Sequence, residues 1–106
     1  LLYKDARGSL TLPLPALTGA HQDDNAGLAV ATLRASGLVL PDSAWQGIAH
    51  TRWPARLQKL DGTLAAQLPV GWELWLDGGH NPGAGEALAP VLEQWSDRPL
   101  HILVGM

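Results

Sequence analysis

The stretch Trp72-Glu-Leu-Trp-Leu-Asp77-Gly78-Gly79-His80-Asn81-Pro82 constrains the fold most, because it reads as a buried strand running straight into a helix. Trp72, Leu74 and Leu76 alternate with Glu73 and Trp75, the period-2 pattern of a half-buried strand. Asn81 suits an N-cap and Pro82 the first helical position. Free backbone N–H groups and the positive end of the helix dipole then face whatever lies beyond the strand, and two glycines let backbone approach a ligand. Junctions of this kind hold nucleotides in α/β proteins, so Asp77 and His80 are expected at a ligand-binding edge.

The remaining pattern is that of an α/β chain. Residues 1–17 are short apolar runs broken by Gly8, Pro13 and Pro15, as in a strand pair or strands at a sheet edge. From Asp23 to Ser36 the spacing of Ala26, Ala29, Val30 and Leu33 predicts a helix, with acids in its first turn and Gly37 just past its end. A second helix is expected from Asp42 or Ser43 to His50, capped by one of those residues, with Trp45, Ile48 and Ala49 on one face. A domain boundary falls near His50 to Arg52, before Pro54. Arg56–Leu60 and Thr63–Leu68 flank Asp61-Gly62, a dipeptide suited to a two-residue hairpin turn, and are expected to pair antiparallel. After the strand Trp72–Leu76, a helix from Pro82 to about Trp95 carries Ala84, Leu88, Val91, Leu92 and Trp95 inward, with Pro90 expected to kink it. Leu100–Val104 would then complete a parallel strand–helix–strand unit.

Composition narrows the functions open to such a chain. At 106 residues it fits about one domain, and 46% apolar with 16% charged residues describes a globular protein. Seven Lys and Arg against ten Asp and Glu, without a basic run, give no nucleic-acid footprint. No apolar run approaches the roughly 20 residues of a bilayer-spanning helix. The absence of cysteine removes disulfides and thiolate metal sites and is compatible with the cytoplasm. The chain has neither an initiator methionine nor a helix after its last strand, and so reads as a piece of something longer.

The common nucleotide signatures fail. Leu88 stands where the third glycine after Gly83 and Gly85 of a dinucleotide fingerprint would be, and neither Lys4 nor Lys59 follows a phosphate-binding glycine loop. Three other clusters remain: His21-Gln22-Asp23-Asp24-Asn25-Ala26 at a helix start, Trp53-Pro54-Ala55-Arg56-Leu57-Gln58, and Leu76-Asp77-Gly78-Gly79-His80-Asn81-Pro82. In order and separation they resemble the folylpolyglutamate and dihydrofolate synthases, within the Mur-type amide ligases. The family's forms are His-Gln-x-x-Asn-Ala, Trp-Pro-Gly-Arg and Asp-Gly-Ala-His-Asn-Pro. Two positions depart from it, Ala55 for glycine and Gly79 for alanine; the first matters only if φ is positive there.

The resemblance implies an internal fragment. Residues 1–50 would be the end of a central P-loop-type ATPase domain, and 51–106 the first half of a Rossmann-like C-terminal domain. It implies that Asn25 reads the adenine edge, which an amide suits because it donates and accepts. It gives Arg56 the phosphates, Asp77 the ribose hydroxyls, and His80 a place beside the base or the incoming glutamate. The implied reaction is ATP-dependent addition of L-glutamate to dihydropteroate or folate through an acyl phosphate, with none of the four residues a nucleophile. Mg²⁺ ligands are expected outside this stretch, and the full-length parent is expected to be a cytoplasmic monomer. The 106-residue chain alone is expected to be inactive.

Each residue also has a plainer reading. Asn25 alone reads as a first-turn helix residue, and Arg56 as a solvated strand residue or half of a surface ion pair. His21 and Gln22 shape the helix entry, His50 and His101 show no metal-ligand spacing, and the tryptophans belong to the core or a domain interface. The competing functions are a Mur-type ligase acting on a cell-wall precursor and a non-catalytic nucleotide-binding or assembly module.

Overall fold

Gly8, with φ +114°, reverses the chain so that β1 (Leu2–Asp5) pairs antiparallel with β2 (Gly8–Thr11), Leu2 opposite Thr11 and Asp5 opposite Gly8. The expected N-terminal strand pair is therefore present. The computed structural model describes residues 1–105, a small mixed α/β arrangement of two antiparallel strand pairs with helices. It divides into two compact units after Pro54.

In the first unit, α1 (His21–Ala35) begins two residues before the expected start and ends just before Gly37, whose φ is +77°. Its buried stripe is Gln22, Ala26 and Val30, with Arg34 partly covered one turn on. That corrects the expected face, because Ala29 and Leu33 are exposed. The i, i+4 row through Arg34 carries an ion pair with Asp5, the β1 end residue, at 3.0 Å, and this row faces inward. Leu12, Ala26 and Val30 are the buried apolar residues of this unit. Asp42–His50 is a 3₁₀ helix entered from extended Pro41, with no side-chain cap from Asp42 or Ser43. Trp45, Ile48 and Ala49 are its half-buried residues, as their spacing requires. The main chain at Ile48 accepts a hydrogen bond from Ala16 N–H at 3.2 Å.

In the second unit, the pairing differs from the expected one. Gln58–Leu60 forms β3, but its antiparallel partner is β4 (Leu74–Leu76), with Lys59 opposite Trp75. Thr63–Leu68 is not a strand. Gly62, at φ +85°, turns the chain, its carbonyl accepts from Ala66 N–H at 2.9 Å, and Ala65–Gln67 becomes a 3₁₀ turn. The Asp-Gly turn signal thus starts a helical turn, since the better ladder partner for β3 lies beyond it. Lys59 and Glu73 add a cross-strand ion pair, and Lys59, then the Trp75 indole N–H, hold the Glu73 carboxyl below the usual carboxylate range.

β4 is shorter than expected and its burial pattern is changed. Leu74 and Trp75 are half-buried, while Trp72 and Leu76 are exposed. The covering layer decides this: Trp75 packs on Trp95 at the end of α2 (Pro82–Gln94), ring centroids 4.9 Å apart. Along α2, Ala84, Leu88, Val91, Leu92 and Trp95 turn inward as expected, with Val91 buried and the others half-buried. Pro90 sits on the exposed side, where water can satisfy the Glu86 carbonyl it leaves unpaired. Leu100–Val104 is not a strand, so the parallel unit is absent among the described residues. An extended segment becomes a strand only when a neighbour takes its backbone groups, and β4 is paired only with β3. His101 instead stacks on Trp72, centroids 5.0 Å apart.

The α2 start is as expected: Asn81 is extended, and its side chain accepts from Ala84 N–H at 2.9 Å with Pro82 following. Asn81→Ala is expected to lower stability by about 1 kcal/mol through loss of this cap, read as a shift in the urea midpoint with unchanged slope.

Candidate functional site

Asp77 directly follows β4 and turns its carboxylate back on the protein. Oδ2 accepts from Leu57 N–H and Oδ1 from Gly79 N–H, both at 2.7 Å. A parallel backbone bond runs from Gly78 N–H to the Ala55 carbonyl at 2.8 Å, and Gln58 Oε1 accepts from Ala55 N–H at 3.0 Å. Residues 55–58 and 77–79, two of the motifs, are thereby fastened into one corner of the second unit. Each carboxylate oxygen keeps lone-pair capacity after one bond, so Asp77 can still accept from hydroxyls.

Arg56 sits between two residues in the left-handed region, Ala55 at φ +55° and Leu57 at φ +43°. That conformation costs about 1–2 kcal/mol per non-glycine residue. At Leu57 the cost is offset by a side chain only 5% exposed and by the charge-assisted bond to Asp77. Ala55 has only its backbone bonds. The positive φ is the condition under which alanine in place of glycine is unfavourable, so this departure from the family pattern carries a local cost. Arg56 itself is exposed and makes no ion pair among the described residues.

Gly79 has a different reason to be glycine. A Cβ there would lie 2.8 Å from Ala84 Cβ and 2.9 Å from Asp77 Oδ1, so alanine would push against both the helix start and the carboxylate. A Cβ on Gly78 would meet the Ala55 carbonyl oxygen at 3.3 Å. His80 is exposed, with Nδ1 3.1 Å from the Gly78 carbonyl oxygen.

Asn25 lies in the first unit, exposed on α1, its Nδ2 donating to Gln22 Oε1 at 3.0 Å. The structure thus brings Arg56, Asp77 and His80 onto the two fastened segments, while Asn25 is held in a separate network. Leu57, Gln58 and Gln22 were not among the expected site residues. The signal for Leu57 and Gln58 was their place in the same motif as Arg56, and for Gln22 a polar residue on the inward row of α1. The open depression lined by Arg7, Leu33, Arg34, Leu38 and Trp45 contains none of the four expected residues. Among the described residues no three His, Asp or Glu come together to hold a metal ion. No helix among them is long and apolar enough to cross a membrane.

Comparison with known proteins gives one consistent name. The chain is 30% identical to a folylpolyglutamate synthase of Lacticaseibacillus casei over 98% of its own length and 24% of that protein. It is 35% and 34% identical to proteins of Halobacterium salinarum and Haloferax volcanii, each named "Probable bifunctional folylpolyglutamate synthase/dihydropteroate synthase". Those matches cover 85% and 84% of this chain and 10% of each relative. No protein-family model matches the chain. No solved structure matches it. The chain is thus a relative of the folylpolyglutamate synthases, as its three motifs indicate, and it spans a quarter or less of the relatives it matches.

Ala55→Gly is expected to stabilise the folded chain by about 0.5–1 kcal/mol, the relief of left-handed strain exceeding glycine's extra unfolded-state entropy. Chemical denaturation checks this, and a loss of stability would show that residue 55 is unstrained.

Proposed function

We propose that this chain is the nucleotide-gripping part of an ATP-dependent ligase that adds L-glutamate to folate or dihydropteroate. The observation that carries the reading is the corner made by Asp77: one carboxylate fastens the Arg56 segment to the strand end that bears His80. Arg56 is then offered to solvent from a rigid turn, suited to pairing with phosphate oxygens by its planar, permanently charged fork. Asp77 retains capacity for ribose hydroxyls, and His80 stands two residues along the same loop. Asn25 supplies the adenine contact from the ATPase part, residues 1–50, with residues 51–106 belonging to a Rossmann-like C-terminal part. The similarity to the named synthases supports this assignment of substrates.

In this reaction a folate or dihydropteroate carboxylate takes the γ-phosphate, and the glutamate amine displaces phosphate from the acyl phosphate. The residues of this chain position the nucleotide and stabilise its charge; none attacks the substrate. Mg²⁺ would be held by residues outside this stretch, and the parent is read as a cytoplasmic monomer.

Arg56→Ala in the full-length enzyme is expected to raise the KM for ATP about tenfold or more, the equivalent of one charge-assisted hydrogen bond. The KM for folate should stay near wild type. Arg56→Lys should recover only part, because an ammonium cannot reproduce the two-pronged contact. A rise in folate KM with ATP KM unchanged would reverse the assignment. The 106-residue chain alone, having no phosphate-binding glycine loop, is expected to incorporate no glutamate in an ATP-dependent assay; measurable incorporation would contradict this.

A further inference from the structure

Gln22 is 4% exposed and is the sole buried polar side chain among the described residues. Burying an amide is unfavourable unless both of its ends are hydrogen-bonded. Here both are: Nε2 lies 2.9 Å from His21 Nε2, and Oε1 accepts from Asn25 Nδ2 at 3.0 Å. The first motif is therefore a relay, His21 to Gln22 to Asn25, that ends on the residue read as the adenine contact.

A relay at this point bears on base selection. A carboxamide turned over about its last torsion keeps its shape and exchanges donor for acceptor. Adenine presents a donating amino group at position 6, whereas guanine and hypoxanthine present an accepting oxygen there. An asparagine free to turn over would match either class. With Nδ2 held by Gln22, Asn25 has Oδ1 and one remaining N–H to offer, in a fixed order that complements the 6-amino group and its neighbouring ring nitrogen.

We propose that Gln22 is a positioning residue that determines purine specificity, by holding the Asn25 carboxamide one way round so that 6-amino purines are accepted and 6-oxo purines refused. This rests on the reading of Asn25 as the base contact given above. Gln22 keeps Oε1 toward Asn25 while His21 Nε2 accepts from Gln22 Nε2, which the neutral ring protonated at Nδ1 allows. The proton on Nδ1 then lies buried without an acceptor among the described residues, so the direction of the relay rests on the bond from Asn25 Nδ2 to Gln22 Oε1. The ring's place is fixed by Gly19: at φ +111°, a Cβ there would be 2.5 Å from His21 Cε1, so the imidazole lies against bare backbone.

The test compares ATP with ITP, which differ at the 6-position, as substrates of the full-length enzyme. Gln22→Met matches the volume but bonds to neither neighbour. It is expected to lower the ATP-to-ITP ratio of kcat/KM about tenfold or more, the discrimination carried by one two-point base contact, with the KM for glutamate unchanged. Gln22→Glu still accepts from Asn25 Nδ2, with His21 donating in its other tautomer, and is expected to keep the wild-type ratio. A folded Gln22→Met enzyme with the wild-type ratio, or a folded Gln22→Glu enzyme that loses it, overturns the proposal. Asn25→Ala separates the two levels. If it lowers the ratio while Gln22→Met does not, only the lock fails. If it leaves both the ratio and the ATP KM untouched, the base contact itself is misassigned and the lock falls with it.

Discussion

The Asp77 carboxylate is the interaction on which the second unit's site depends. By accepting from Leu57 N–H and Gly79 N–H, it closes the end of β4 onto the segment that precedes β3. Both bonds are charge-assisted, and they secure a turn with two left-handed, non-glycine residues that would otherwise relax. A residue read from the sequence as a ligand contact therefore also builds the site. The two roles are compatible because a carboxylate has more acceptor sites than two N–H groups use.

The departures from the family pattern gain physical content from this corner. Ala55 carries a left-handed cost that glycine would not, whereas Gly79 avoids a collision with Asp77 and Ala84 that alanine would make. Position 79 thus protects the carboxylate geometry, and position 55 sets the strain next to Arg56. Conservative as both exchanges look by size, they act on opposite sides of one junction and with opposite sign.

Much of the local structure was legible along the chain. The Asn81 cap, Pro82 at the helix start and the inward residues of α2 follow from capping chemistry and a 3.6-residue period. The first strand pair and the extent of α1 follow in the same way, as does the position of the 42–50 segment, although it is 3₁₀. Ala26 and Val30 were legible as core, but apolarity alone also turned Ala29 and Leu33 inward and left Gln22 out. A polar residue that finds two partners can displace an apolar one from the inward row. The three motifs gave the family, yet not the bond of Asp77 to Leu57, whose partners lie twenty residues apart, or the relay through Gln22, whose partners are near in sequence but whose burial only the packing sets.

By itself, the sequence determined about where the two α-helices begin and end, where the chain must turn, and which three motifs carry the family resemblance, since these depend on residues within a turn or two of one another. Tertiary structure alone decided strand partners and burial. β3 joined β4 and not Thr63–Leu68, Leu100–Val104 stayed unpaired, and Trp75 turned to Trp95 while Trp72 and Leu76 faced out. The physical reason is that a strand's ladder and a side chain's cover are supplied by chain distant in sequence. Local pattern shows that a segment can pair or be buried; it does not say with what.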